Sequence, residues 1–405
     1  MSIDIDAFAH AIQSDLTSNP PTYTESPYFD GLQLTAHPAS ATQIFLNNNE
    51  FINQYLGENF YHCGGMTKMH AWALASYALT HAKETSPKKA AETIDTIFKA
   101  TEAPVNDIAL LSGIVVSKVY KISNNIWLAP ISDAPSRHIK GAVAEHNEFM
   151  KHMAGRSVSP FFDSFFDSPR TALWRQRFTP FGFKVTNQSM TDTGTEQLFE
   201  LSHLLTLVGP CSPSIRQFAT ELDESVPLKR YLSQTTYTQS EETKTNTITE
   251  LDGDDIEKYR AIVSDFSRLN GDVKSFLSTP LIRLNLAIKH ISEVEKAIDL
   301  GIAMESLFLS DSDKNSPIAL PLRLRGAWLL GETQADREGL YKKFQKLYDL
   351  RSSAVHSGSL GKGKQENSNS DLLADGVNLC ISAILKIIKN GVRPEWTKLI
   401  LGDRN

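Results

Sequence analysis

The chain is poor in cysteine, and Cys63, Cys211 and Cys380 lie far apart in its 405 residues. They form neither a C-x-x-C pair nor a disulfide framework, which points to a reducing cytoplasm. No apolar run approaches the ~18–20 residues that a membrane span requires. The longest apolar stretches, around 108–120 and 381–388, contain lysine or serine. The start, from Met1 to Asp6, is acidic and lacks the basic residues that open a secretory signal. Both phosphate-cradling patterns are missing, G-x-x-x-x-G-K-[ST] and G-x-G-x-x-G after a strand. An excess of positive charge is absent too. The net charge is −6, which argues against a protein that coats nucleic acid.

What is present is an ordinary globular composition, 41% hydrophobic and 22% charged. Domains run to about 100–200 residues, so the length implies two or three. Charge is uneven. Leu281–Asn405 carries 18 Lys and Arg against 15 Asp and Glu, whereas the remainder carries 23 against 32. A phosphate contact therefore belongs in the C-terminal third.

Residues 44–99 read as largely helical, with Met69, Trp72, Ala73, Tyr77 and Leu79 near helical spacing and Pro104 closing the stretch. Residues 108–122 are rich in β-branched side chains, Ser123-Asn124-Asn125 is a turn cluster, and Ile126–Pro130 returns as a strand. Another strand set falls within 174–185, broken at Thr179-Pro180-Phe181-Gly182. The apolar stretch Gln197–Val208 ends at Gly209-Pro210. Residues 1–232 thus form a mixed α+β region, and the polar stretch 233–255 reads as a linker or surface loop. Residues 256–405 lose the strand signals. Helical periodicity runs over 256–269, 281–309, 320–330, 337–355 and 372–388, an all-α bundle of four or five helices. The expected fold class is α+β, and no internal repeat is visible.

Few constellations carry chemistry. Cys63-Gly64-Gly65 offers a thiol with no base tied to it by spacing and reads as a buried core cysteine. His138, His146 and His152 are eight and six apart, not the i,i+4 spacing of a helical metal pair. No metal or cofactor is expected. Arg351 and His356, four residues between them, are more suggestive. An arginine presents a cationic fork to phosphate, and a histidine can move a proton near neutrality. Together they suffice for RNA cleavage without a metal, His356 taking the 2′-hydroxyl proton and Arg351 stabilising charge on the phosphate.

Spacing alone is weak. With 16 arginines and 11 histidines, an R-x4–6-H pair arises about once by chance, and the chain holds two. The other, Arg283 and His290, lies in what reads as an uninterrupted helix and is taken as structural or partner-contacting. Context separates the pairs. Leu340, Phe344, Leu347, Arg351 and Val355 share one helical stripe, so Arg351 interrupts an apolar face and needs a partner or a ligand. His356 is rotated about 140° from it on an ideal helix. A helix end at Ser357-Gly358, or a second chain, would bring the two groups together. From the residues alone, an arginine paired to a core carboxylate beside a helix-ending histidine is the default.

Ala297–Leu309 (AIDLGIAMESLFL) resembles the "IDLGIALEALLL" helix of ApeA-like HEPN domains. Leu320–Gly331 (LPLRLRGAWLLG) is similar to the next helix of that family, and Tyr348–Gly358 (YDLRSSAVHSG) to its "YDLRSxxVHGG" signature. The three blocks occur in the family's order, and the likeness covers about 254–405. Ser357 departs from the common glycine without removing a chemical group.

The resemblance implies a helical domain that dimerises, placing the R-x4–6-H motifs of two chains in a shared cleft. It implies a metal-independent endoribonuclease, often a toxin or an anti-phage abortive-infection effector, with RNA as substrate and a phage-derived trigger as a candidate partner. By motif, Arg351 and His356 are the catalytic pair, Ser352 a candidate assisting group, and Glu305 a residue that orients Arg351 or serves the structure. Residues 1–232 become a sensing or regulatory region. Lys362 and Lys364, in the polar Gly/Ser/Asn loop Ser357–Asp371, are candidate RNA-backbone contacts, with solubilising lysines the blander reading. The rivals are a catalytically silent HEPN module that binds RNA or a partner protein, and a purely structural dimerisation bundle. The silent readings predict Arg351 buried against a carboxylate with no open cleft.

Overall fold

The computed structural model describes residues 3–18, 23–25, 32–34, 40–63, 65–136, 139, 169–183, 195–229, 232, 235–238, 248–309, 319–360 and 367–401. The chain opens with α1 (Ile5–Ser18), the strand pair β1 (Tyr23–Glu25) and β2 (Leu32–Leu34), then α2 (Ala41–Asn48) and α3 (Glu50–Asn53). A hairpin of β3 (Asn59–His62) and β4 (Gly65–Lys68) precedes α4 (Ala71–Glu84) and α5 (Pro87–Lys99). Helix starts are marked by capping chemistry. Ser40 and Ser86 accept the amides of Gln43 and Lys89, and Pro87 occupies the first turn of α5. Asp15 reaches from α1 to accept the Ala41 and Thr42 amides at 2.8 Å, tying α1 to the start of α2. The apolar faces of these helices close into one core through Phe8, Ile12, Leu46, Leu74 and Ile94.

The following strands are β5 (Glu102–Ser112), β6 (Ile114–Val115), β7 (Tyr120–Ser123), β8 (Ile126–Pro130), β9 (Thr171–Pro180), β10 (Ser214–Leu222), β11 (Thr235–Thr238) and β12 (Thr249–Glu250). Six make an antiparallel sheet in the order β11-β10-β5-β9-β8-β7. β12 pairs in parallel with β6. Asp107 on β5 stands in register with Arg175 on β9 and Thr220 on β10. Its side chain, 1% exposed, accepts from Arg175 Nε at 3.1 Å, Arg177 Nε at 2.6 Å and Thr220 Oγ1 at 3.0 Å. A buried carboxylate is tolerable only when so satisfied.

The helical part comprises α6 (Thr195–Leu205), α7 (Gly253–Ser267), α8 (Gly271–Lys289), α9 (Glu293–Phe308), α10 (Ala319–Leu330), α11 (Gln334–Ser357), α12 (Asn367–Asn390) and α13 (Trp396–Leu401). The fold is α+β. The helices and the sheet share a core in which Ala109, Leu173 and Phe218 of the strands join Tyr259, Leu284, Leu300, Phe344 and Ile384 of the helices. At Gly326 of α10 a Cβ would lie 2.5 Å from the Phe344 ring, so glycine lets α10 and α11 close together.

Five sequence expectations change. The described residues of 253–401 hold seven helices, α7 to α13, and not four or five, because one periodic stretch spans two helices and the short α13 shows no period. Within 44–99 the β3–β4 hairpin interrupts the helices, its segments too short for a period of two to register. Pro104 lies inside β5, near its first residue, where a missing amide costs least. The stretch 233–255 is more than a linker, because Thr235–Thr238 adds an edge strand and Thr249-Glu250 lies against Ile114-Val115. The capping box of Asp252 and Asp255 then starts α7 at Gly253. The periodic stretch 281–309 is two helices, because Ser292 caps α9 and His290 leaves the helical conformation.

Candidate functional site

The site residues gather on α9 and α11. A capping box of Thr333 and Asp336 starts α11, and Gly358 ends it in the left-handed conformation, φ 62°, donating its amide to the Ala354 carbonyl at 3.1 Å. Phe344, Leu347, Leu350 and Ala354 form the buried face of α11. Arg351 stands at the margin of that face, half-buried, where its guanidinium must find a partner.

The partner is on α9. Arg351 Nη2 donates to Glu305 Oε2 at 3.2 Å, with the two side chains 24% and 22% exposed. The arginine stem crosses Gly301, one turn before Glu305 on the same helix. Burial pushes the Glu305 carboxyl above its ordinary value, and the Arg351 guanidinium draws it part of the way back. Arg351 Nε and Glu305 Oε1 are buried and have no hydrogen-bond partner among the described residues. The pair thus keeps a buried donor, Arg351 Nε, and a buried acceptor, Glu305 Oε1, that the described residues do not satisfy.

His356 occupies the last turn of α11 and is exposed, with no hydrogen-bond or ion-pair partner among the described residues. Helical conformation persists through Ser357, so the rotation of about 140° between Arg351 and His356 holds. The helix end does not bring them together. Ser352 is half-buried beside Arg351. Lys362 and Lys364 lie outside the described residues, as do His138, His146 and His152.

The second pair is committed elsewhere. Arg283 Nη1 and His290 Nε2 each reach a separate oxygen of Asp299 at 2.8 Å, and His290 Nδ1 lies 3.2 Å from Glu295. Asp299 is nearly buried and clasps the corner between α8 and α9. Cys63 is buried, and desolvation together with the charges of Glu221 and Asp107 pushes its thiol up to about 12, the state of an inert core cysteine.

Sequence reasoning missed two site features. Gly301 had one usable signal, a lone glycine inside a helical pattern. Asp299 had none, because a carboxylate on an amphipathic helix does not announce two cationic partners. Among the described residues no cluster of His, Cys, Asp and Glu could hold a metal ion, and no helix is long and apolar enough to cross a membrane. No protein-family model matches the chain, and no curated protein or solved structure matches it.

Proposed function

We propose that this chain is a HEPN-type endoribonuclease of the cytoplasm that cuts RNA by 2′-hydroxyl attack without a metal. The supporting observation is an anchored arginine, Arg351 on Glu305, in the same helix end as His356, which is exposed and has no partner among the described residues. His356 takes the 2′-hydroxyl proton and the 2′-oxygen attacks phosphorus. The phosphorus–5′-oxygen bond breaks, and the departing oxygen takes a proton from solvent to leave as a 5′-hydroxyl, while His356 returns its own proton to solvent. Arg351 balances the charge that builds on the phosphate, with Ser352 assisting. The rotation between the two groups calls for a homodimer through the helical domain, 256–405, that assembles one cleft from two copies. Lys362 and Lys364 track the RNA backbone. In this reading 1–232 senses a trigger, and the whole acts as a toxin or an abortive-infection effector against phage.

A catalytically silent module that binds RNA or a protein is the second reading, favoured by the carboxylate against which Arg351 lies. An RNA cleavage assay in EDTA separates the two. The enzyme reading expects 2′,3′-cyclic phosphate and 5′-hydroxyl ends, and loss of cleavage in His356→Ala with melting unchanged. Products with 5′-phosphate ends or strict Mg²⁺ dependence would overturn it. RNA binding without cleavage by the wild-type protein would establish the silent module.

A further inference from the structure

A cavity of about 450 Å³ opens where the sheet meets the helices, between the β7–β8 turn, α6, α7 and the start of α8. That volume lies within the range of small-molecule sites, roughly 300–1,000 Å³. Its floor is apolar, built from Ile126, Leu201, Val263 and Phe266, each at most 6% exposed. Its polar groups divide into committed and uncommitted sets. Arg260 is committed, since its guanidinium donates to the Lys121 carbonyl at 2.8 Å and pairs with Glu257. The Asn125 amide is committed to the Gln176 carbonyl at 3.2 Å.

Two charges remain. Glu200, on α6, and Lys274, on α8, both line the cavity, and neither makes an ion pair or a side-chain hydrogen bond among the described residues. Partial burial raises the Glu200 carboxyl, the Lys274 ammonium draws it back, and the Glu196 carboxylate pushes it further up. The Lys274 ammonium sits 5.4 Å from the centre of the Phe266 ring, so the cation stands at the edge of the apolar floor. Beside the paired Arg260, the cavity thus offers one uncommitted carboxylate at its exposed rim, one uncommitted ammonium and an apolar floor.

We propose that this cavity binds a small zwitterion carrying an apolar group, the chemistry shared by free apolar amino acids and short peptides. The ligand's ammonium meets Glu200, its carboxylate meets Lys274, and its side chain covers the floor. A nucleotide fits less well, because its phosphate carries up to two negative charges and the cavity offers one uncommitted cation. The walls come from both halves of the chain, so an occupant ties the β7–β8 turn and α6 to α7 and α8. This inference stands apart from the ribonuclease reading, and its test uses binding alone.

The experiment is calorimetric titration of the full chain with phenylalanine, leucine and the dipeptide Phe-Leu. N-acetyl-phenylalanine amide, which has neither charge, serves as control, and a nucleoside monophosphate as competitor class. At least one zwitterion should bind, and the blocked analogue should bind at least about tenfold more weakly. Comparing the amino acids with the dipeptide tells which source fits the volume. Glu200→Gln and Lys274→Gln, checked for unchanged melting, should each weaken the bound zwitterion by about tenfold. The exchange Glu200→Lys with Lys274→Glu, which keeps one charge of each sign, should recover part of the loss. No binding of any zwitterion at about 10 mM overturns the proposal, a weak limit for any small-molecule site. So does zwitterion binding that both single variants leave unchanged, or nucleotide binding that is lost in Lys274→Gln while the zwitterions fail.

Discussion

The stem of Arg351 crosses Gly301 so closely that a Cβ built on the glycine would lie 2.2 Å from the arginine Cγ and 3.0 Å from its Cβ. Those atoms are the root of the side chain, not its flexible tip, so they cannot yield without moving the guanidinium or the helix. Gly301 is therefore a positioning residue for Arg351.

Gly301→Ala tests that relationship. On an exposed helix the change would stabilise by about 1 kcal/mol. Here the clash should outweigh the gain, lower the melting temperature and cut RNA cleavage at least about tenfold by displacing Arg351. A more stable variant with full cleavage would show that the guanidinium needs no such seat.

Glu305→Gln probes the other side of the same contact. The folded carboxyl is raised above its ordinary 4.5, by burial first and against the pull of Arg351. Its contribution to stability is fully present below the unfolded value and is lost as pH rises through the raised folded value. Subtracting the urea midpoints of the variant from those of the wild type should therefore leave a difference that declines as pH climbs from about 4.5 towards neutrality. Cleavage by the variant should fall, because a neutral amide holds the guanidinium less firmly. A flat difference would mean that Glu305 ionises in the folded protein as it does in the unfolded chain.

How much of this was legible varies with the kind of signal. The helices of the C-terminal part were visible because their apolar positions recur every three or four residues, as at Leu340, Phe344 and Leu347. The place where α8 gives way to α9 was not, because the periodicity carries on across His290-Ile291-Ser292 while Ser292 alone marks the new start. β5 is legible in the sequence only from Ile108, since Pro104 is a terminator signal, yet proline is tolerated where a strand has just begun. At the site, the interruption of the apolar stripe by Arg351 showed that a partner was required. That the partner was Glu305, 46 positions away, came from the likeness to a known family and not from spacing.

Asp299→Asn separates the two arginine–histidine pairs. The carboxylate serves Arg283 and His290 at 2.8 Å each, so its loss should destabilise the corner between α8 and α9. Arg283 is 41% exposed and solvent screens its share, which holds the expected loss to about 2 kcal/mol. Thermal melting would register it, while cleavage per folded molecule should stay within about twofold of wild type. Abolished cleavage in a well-folded Asp299→Asn or Arg283→Ala would move the reaction to this pair.

The strongest demand on the proposed mechanism is composite assembly. Arg351 and His356 sit five residues apart on one continuous helix, and about 140° of rotation keeps a single copy from aiming both at one phosphate. A two-fold contact resolves this, because each chain supplies the same patch and the two motifs meet across the axis. Two independent sites and one shared cleft then differ in a countable way. A mixed dimer of one wild-type chain and one Arg351→Ala chain would keep half its activity if each site worked alone. In a shared cleft, where both arginines face the same RNA, it should lose well over half. Purification through two different tags gives the mixed species, and cleavage rates at saturating RNA give the fraction. Dilution supplies an independent check, since activity should fall once the dimer dissociates, and a monomer fully active at nanomolar concentration would defeat the shared cleft.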